Sequence, residues 1–188
     1  MHKMTRGARL EGDSARTTGR HVQETLERIY LDHRQGLYTL ALAITRNPAA
    51  AEDAVQDAFA RLWGADARPE GHLVPYVFAA VRNAALDQMR RRARAAQYLA
   101  SASIYNGLPE DPAASILDAE QHRLVRDAVD ALPDAEREAV VLRVYGGLTF
   151  DEMARTLGEP LPTVASRYRR ALGKLGHAIQ GITEPSHE

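Results

Sequence analysis

The chain has no cysteine, which excludes disulfides, thiolate nucleophiles and thiolate metal sites, and it suits a reducing compartment. No apolar run approaches membrane-spanning length, and residues 1–20 lack the apolar centre of a secretory signal, so neither membrane insertion nor export is expected. Alternating Val/Ile/Thr stretches are nearly absent, which removes the sheet-based folds. The seven histidines are scattered without an H-x3-H or H-E-x-x-H pair, so neither a metal nor a cofactor is expected. Bulk positive charge is missing too. A net charge of −1 rules out a protein that holds nucleic acid by overall cation excess.

Ala, Leu, Arg and Glu dominate what remains, and the expected fold is all-α: two small helical domains joined by a flexible linker, the second ending in a helix-turn-helix. Helices are expected near 22–46, with a break around Gly36, near 49–63 and near 73–93. Asn47-Pro48 and the Gly64–Gly71 stretch punctuate them. Residues 96–115 lose helical periodicity and carry Gly107, Pro109 and Pro112, the composition of a linker. Beyond it come helices near 116–131 and from Pro133 to Tyr145, then the final pair. The expected division is 1–20 flexible extension, 21–95 first domain, 96–115 linker, 116–179 second domain and 180–188 flexible tail.

The strongest local pattern lies at 148–177. Thr149 and Glu152 form a T-x-x-E capping box, and Gly158 and Pro160 stop the short helix they open. Pro162 sits where the first turn of a new helix tolerates proline. At 100° per residue, Val164, Tyr168, Ala171, Leu172 and Leu175 share one face that can bury against Met153 and Leu157. Thr163, Ser166, Arg167, Arg170 and Lys174 share the other, the short polar and cationic set that phosphates and base edges require. The competing reading is a solvated amphipathic helix with an incidental arginine cluster.

Two faces in the first domain carry further chemistry. Near 49–63, Val55, Ala58, Phe59 and Leu62 point inward, and Asp53, Gln56, Asp57 and Ala60 point outward. That ridge suits a basic partner helix, or is simply solvated. Near 76–92, Phe78, Val81, Ala85 and Met89 form the expected inner stripe. Opposite them stand Tyr76, Asn83, Asp87 and Arg90, with Arg91, Arg92 and Arg94 beyond and Arg82 nearby. A ring to stack on a base, an amide to read its edge and cations for phosphate suit an unpaired strand. The same arginines also complement a helix C-terminus.

The run NPAAAEDAVQDAFARLW, continued in VRNAALDQMRRR, resembles region 2 of the extracytoplasmic-function (ECF, group IV) sigma factors of bacterial RNA polymerase. ALPDAEREAVVLRVYGGLTFDEMARTLGEPLPTVASRYRRAL resembles their region 4. The matching segments are about 21–95 and 120–178, in the family's order. The resemblance implies a region-2 domain that docks on core RNA polymerase through Asp53, Gln56 and Asp57. It also implies capture of the melted −10 strand by Tyr76, Asn83, Arg82, Arg90 and Arg91, with the 64–73 loop beside a base pocket. Region 4 would read the −35 duplex through Thr163, Ser166, Arg167, Arg170 and Lys174. Two departures stand out: Tyr76, after Pro75, replaces a common Trp, and Pro162 and Ala165 replace a usual Gly and a frequent Lys.

What the resemblance implies is a cytoplasmic, non-enzymatic transcription initiation factor whose partners are core polymerase and promoter DNA. Many relatives are also held inactive by an anti-sigma protein clamping both domains. The alternative is a free-standing helix-turn-helix regulator that binds duplex DNA as a dimer. A nuclease using Glu52, Asp53 and Asp57 for a metal is disfavoured, because those carboxylates lie on different arcs of one helix and no histidine stands at ligand spacing.

Overall fold

The computed structural model describes residues 7–64, 72–98 and 124–183. These residues form α1 (Gly7–Thr45), α2 (Pro48–Gly64), α3 (Leu73–Tyr98), α4 (124–130), α5 (Asp134–Val144), α6 (Phe150–Leu157) and α7 (Leu161–Thr183). Residues 1–6, 65–71, 99–123 and 184–188 lie outside the described residues, which takes in most of the expected 96–115 linker and of the 64–73 loop.

Local chemistry accounts for the boundaries. Asn47 accepts a hydrogen bond from the Ala50 amide at 2.9 Å, the N-cap of α2, and Pro48 follows in the first turn, where its missing N–H costs nothing. Arg46, which closes α1, has φ of 53°, the left-handed region that side chains avoid. Its guanidinium is held there by Asp130, through the carbonyl at 3.1 Å and the carboxylate at 3.5 Å. Three helix boundaries differ from expectation. Helix α1 starts at Gly7, within the stretch expected as an extension, α3 runs to Tyr98 and so into the first residues of the expected 96–115 linker, and α7 reaches Thr183 instead of stopping at His177.

α1 is also continuous through Gly36. The glycine serves an approach, not a break: a Cβ there would stand 2.6 Å from the Tyr145 carbonyl oxygen and 2.9 Å from Gly146 Cα. Only a residue without a side chain lets the end of α5 come this close.

That approach shapes the whole fold. The core is continuous across both halves: Leu37, Leu40 and Phe78 belong to the same buried cluster as Val141, Leu148 and Val164. From 37 to 45, every side chain of α1 except the half-buried Tyr38 is buried, because α2 and α3 pack on one side and α5 on the other. A helix enclosed in this way has no room for a polar stripe, and LYTLALAIT supplies none. Thr156 on α6 adds a polar tie, donating its hydroxyl to the Pro75 carbonyl on α3 at 3.3 Å.

Candidate nucleic-acid interface

In the α6–turn–α7 unit the capping box forms in full. Thr149 Oγ1 accepts from the Glu152 amide, and the Glu152 carboxylate accepts from the Thr149 amide at 2.8 Å. These bonds from Thr149 hold the Glu152 carboxyl below the usual glutamate value, with Arg155 and His72 adding to the effect against partial burial. At the other end Gly158 takes φ of 67°, and the amides of Gly158 and Glu159 both donate to the Ala154 carbonyl. Arg143 braces the entry, donating to the Leu148 carbonyl at 2.8 Å while its guanidinium carbon lies 5.5 Å from the Phe150 ring centroid.

The inner face of α7 buries Val164 and Ala171 completely and Tyr168 and Leu175 in part. Leu172 departs from expectation. It is 45% exposed, because Ala171 takes the contact with α5 and turns its neighbour outward. On the outer face Thr163 and Ser166 are half-buried and Arg170 and Lys174 are exposed. Acids accompany the cations. Arg167 lies against Glu159 with Nη1–Oε1 2.8 Å and Nη2–Oε2 2.7 Å. Lys174 Nζ lies 2.8 Å from Glu136 Oε2 as a charge contact without hydrogen-bond alignment, and Arg170 Nε is 3.8 Å from Glu136 Oε1.

On α3, Tyr76, Asn83, Arg90 and Arg91 are all exposed on the helix surface. Met89, expected inside, is 42% exposed: it lies beyond the part of α3 that the core covers, where Leu86 is only half-buried. Arg82 also departs from its expected free position. Its Nε lies 2.6 Å from Glu138 on α5, which half-buries it.

On α2, Asp53 and Gln56 are exposed, and Ala51, Ala54, Val55, Ala58 and Phe59 are buried. Asp57, expected fully outward, is half-buried at the edge of the ridge. Burial raises the pKa of the neighbouring Tyr38, and the negative charge of Glu52 raises it further. Tyr30, Phe59 and Trp63 form a ring series with centroid separations of 5.2 and 5.7 Å.

Helix α5 lies where the sequence predicts it, but the burial of its charges is not legible there. Its run DAERE reads as a solvated helix start, yet Glu136, Arg137 and Glu138 are all buried. Successive positions on a helix point about 100° apart, so Glu136 reaches α7, Glu138 reaches α3, and Arg137 faces the corner between α1 and α4. There Arg137 donates to the carbonyls of Ala43 (3.3 Å), Val129 (3.3 Å), Asp130 (3.0 Å) and Leu132, and pairs with Asp134 at 2.8 Å. The only hint lay in the company it keeps: a helix whose other positions read AVVL has no free face left for its charges.

Among the described residues no three His, Asp or Glu side chains are grouped to hold a metal ion, and no helix is long and apolar enough to cross a membrane.

Comparison with known proteins bears on the family of the chain. Residues 29–95 match the Sigma-70 region 2 family and residues 122–175 match Sigma-70, region 4. The chain is 25% identical over 187 residues to the ECF RNA polymerase sigma factor SigK of Mycobacterium bovis (strain BCG / Pasteur 1173P2), covering 94% of this chain and 98% of the relative. To SigK of Mycobacterium sp. (strain KMS) it is 26% identical over 159 residues, covering 80% of this chain and 81% of that one. Its fold resembles that of the sigma factor RpoE from Bartonella quintana, solved with the anti-sigma factor NepR. The TM-score is 0.68 at 24% identity, over 84% of this chain and 98% of that one. It also resembles CnrH, solved with the cytosolic domain of CnrY: the TM-score is 0.61 at 23% identity, over 89% and 95%. A free-standing dimeric regulator would give no reason for a region-2 match upstream of its helix-turn-helix. Two Sigma-70 regions in order, covering well over half the chain, and full-length ECF relatives place this two-domain helical protein in the ECF sigma factors, which direct promoter-specific transcription initiation.

Proposed function

We propose that the three faces divide the work of initiation among polymerase, melted strand and duplex. The exposed Asp53 and Gln56, with Asp57 at the ridge edge, dock α2 on a basic surface of bacterial core RNA polymerase. On α3, Tyr76 stacks on an unpaired −10 base and Asn83 reads its edge, with Arg90 and Arg91 on the backbone. α7 enters the −35 major groove with Thr163, Ser166, Arg167, Arg170 and Lys174. The boundaries that go with this are 21–95 for the first domain and 116–179 for the second, with 96–115 between them. The carrying observation is the fully capped α6–turn–α7 unit, which buries Val164 and Ala171 and leaves Arg170 and Lys174 outside.

Arg82 gives this function a geometric condition. While its guanidinium is on Glu138, 2.6 Å away, it is withheld from phosphate. The promoter-bound form is therefore one in which α5 has left α3 and the two halves have parted. An anti-sigma protein, the partner class seen with the RpoE structure, would act by holding the closed arrangement. The chain works in the cytoplasm, beside the polymerase that performs all bond making.

Reconstitution tests the reading. The full chain should co-elute with bacterial core polymerase and yield start-site-specific run-off transcripts; absence of both defeats it. Asp53→Lys, at an exposed position, should weaken polymerase association about 10- to 100-fold through charge repulsion while leaving the far-UV circular dichroism and melting temperature unchanged. Normal association of that variant would move the docking face elsewhere.

A further inference from the structure

We infer that Glu159 is a positioning residue for promoter reading: it holds the Arg167 guanidinium in a fixed plane, so that Arg167 contacts a base edge rather than a phosphate. The inference rests on the proposed docking of α7 in the duplex, and it adds a residue outside the recognition helix to the set that determines specificity.

The geometry is that of a fork on a fork. Both carboxylate oxygens of Glu159 meet both terminal nitrogens of Arg167, at 2.8 and 2.7 Å. Each side chain is about three-quarters buried, with exposures of 23% and 28%. The clamp is itself anchored. The Glu159 amide donates to the Ala154 carbonyl at 3.0 Å, and the next residue, Pro160, accepts from the amides of Thr163 and Val164. Glu159 thus projects from a turn fixed to α6 on one side and to α7 on the other, and its carboxylate cannot drift with the recognition helix surface. Two N–H groups of Arg167 are used by the carboxylate, and three of the guanidinium's five donors remain for DNA.

Charge then separates Arg167 from its neighbours. An arginine already neutralised by a bidentate carboxylate gains little from a phosphate, which the same carboxylate repels at close range. A base edge in the major groove carries no such net charge, and its paired acceptors suit a planar donor set whose orientation is fixed in advance. Arg170 and Lys174 are built differently. Both are more than half exposed, and they share a single buried carboxylate, Glu136, with the arginine nitrogen 3.8 Å away. Lys174 lies 2.8 Å from that carboxylate, but one acid shared by two cations leaves net positive charge at this end of α7, which phosphate contacts use.

The test uses bacterial core polymerase loaded with the full chain and a library of double-stranded promoter fragments randomised over the upstream element, with bound fragments sequenced. Arg167→Ala first identifies the position whose base preference it flattens. Glu159→Gln, which keeps the shape but loses the charge and one acceptor, should lower discrimination at that same position about tenfold. The slope of affinity against salt should not become shallower, and non-matching fragments should bind equally or more tightly. Glu159→Asp should restore part of the preference. In the Arg167→Ala background Glu159→Gln should add nothing. The inference is overturned if Glu159→Gln leaves the preference intact, weakens all fragments equally, or acts equally without Arg167. If the wild-type holoenzyme selects no upstream sequence at all, the docking of α7 fails, and this inference fails with it. If it selects one and Arg167→Ala flattens no position, the docking of α7 stands and this inference alone fails.

Discussion

The two halves of the molecule use arginine in opposite ways. On α3 the cluster Arg90, Arg91, Arg92 and Arg94 stands in solvent, with one loose pair between Arg90 and Asp87 at 3.4 Å. From α5 to α7, acids meet the cations at short range: Arg137 with Asp134, Arg155 with Asp151, Arg167 with Glu159 and Lys174 with Glu136. A mobile, unneutralised guanidinium is suited to a backbone whose charge is the same at every step. A guanidinium held in place by an acid gives up attraction and gains direction. This contrast explains how a chain of net charge −1 can engage DNA: loose cations are concentrated at the end of α3, and on α7 Arg167 is aimed rather than merely positive.

The largest effect that would test this contrast lies at Arg137. Replacing it with Met should cost about 3–5 kcal/mol, the range for removing one partner from a buried charged network, because the carbonyls of Ala43, Val129, Asp130 and Leu132 lose their donor. Chemical denaturation reads this directly. Arg91→Met, on the solvated cluster, should change stability by less than about 0.5 kcal/mol. Similar losses at both sites would erase the distinction between the halves.

Gly36→Ala probes the seam between them. A methyl group 2.6 Å from the Tyr145 carbonyl must displace backbone, a strain of roughly 1–3 kcal/mol. The expected result is a looser α1–α5 contact, read as faster amide exchange at 37–45 and a larger radius of gyration in small-angle scattering. Separation should also free Arg82 from Glu138 and strengthen binding to single-stranded DNA. An unchanged radius and exchange pattern would show that the halves yield locally instead.

The nucleic-acid faces can be separated by salt. Arg91→Ala should weaken binding of the polymerase complex to all promoter fragments alike and reduce the salt slope by about 1. Arg167→Ala should cost about 1–3 kcal/mol at one base position and leave other fragments nearly untouched. If the two variants give the same signature, aiming has no functional counterpart.

These contrasts also show which parts of the molecule were legible in the sequence. The helix-turn-helix could be read because its punctuation is local: Thr149, Glu152, Gly158 and Pro162 act through neighbours within a few residues. The inner stripes were legible wherever one face meets the core, as with Val55, Phe59, Phe78 and Val81. What periodicity could not supply was the packing of one half on the other. Gly36 looked like a helix breaker because its use depends on Tyr145, more than a hundred residues away. The burial of Glu136, Arg137 and Glu138 was not legible because their partners lie on four other helices. The clue present in the sequence was the uncharged stretch 37–45, which is too long for a helix covered on one side only.

The smallest expected effect sits at the capping box, and pH gives it a sign. Thr149→Ala should cost about 1 kcal/mol near neutrality by removing the side-chain acceptor for the Glu152 amide. Glu152 has a carboxyl pKa lowered in the fold, so the folded state favours its ionised form. Its contribution is therefore complete above the ordinary glutamate value and is lost as pH falls through the lowered folded one. Glu152→Gln should accordingly be less stable than wild type near neutrality, with the difference shrinking as the solution is acidified through that window. Because the box sets the start of α6 and not the seam or the Arg167 clamp, amide exchange at 37–45 should stay as in wild type. A response there would mean that the start of α6 and the joint between the halves are one cooperative unit, and that the C-terminal half cannot rearrange without releasing the N-terminal one.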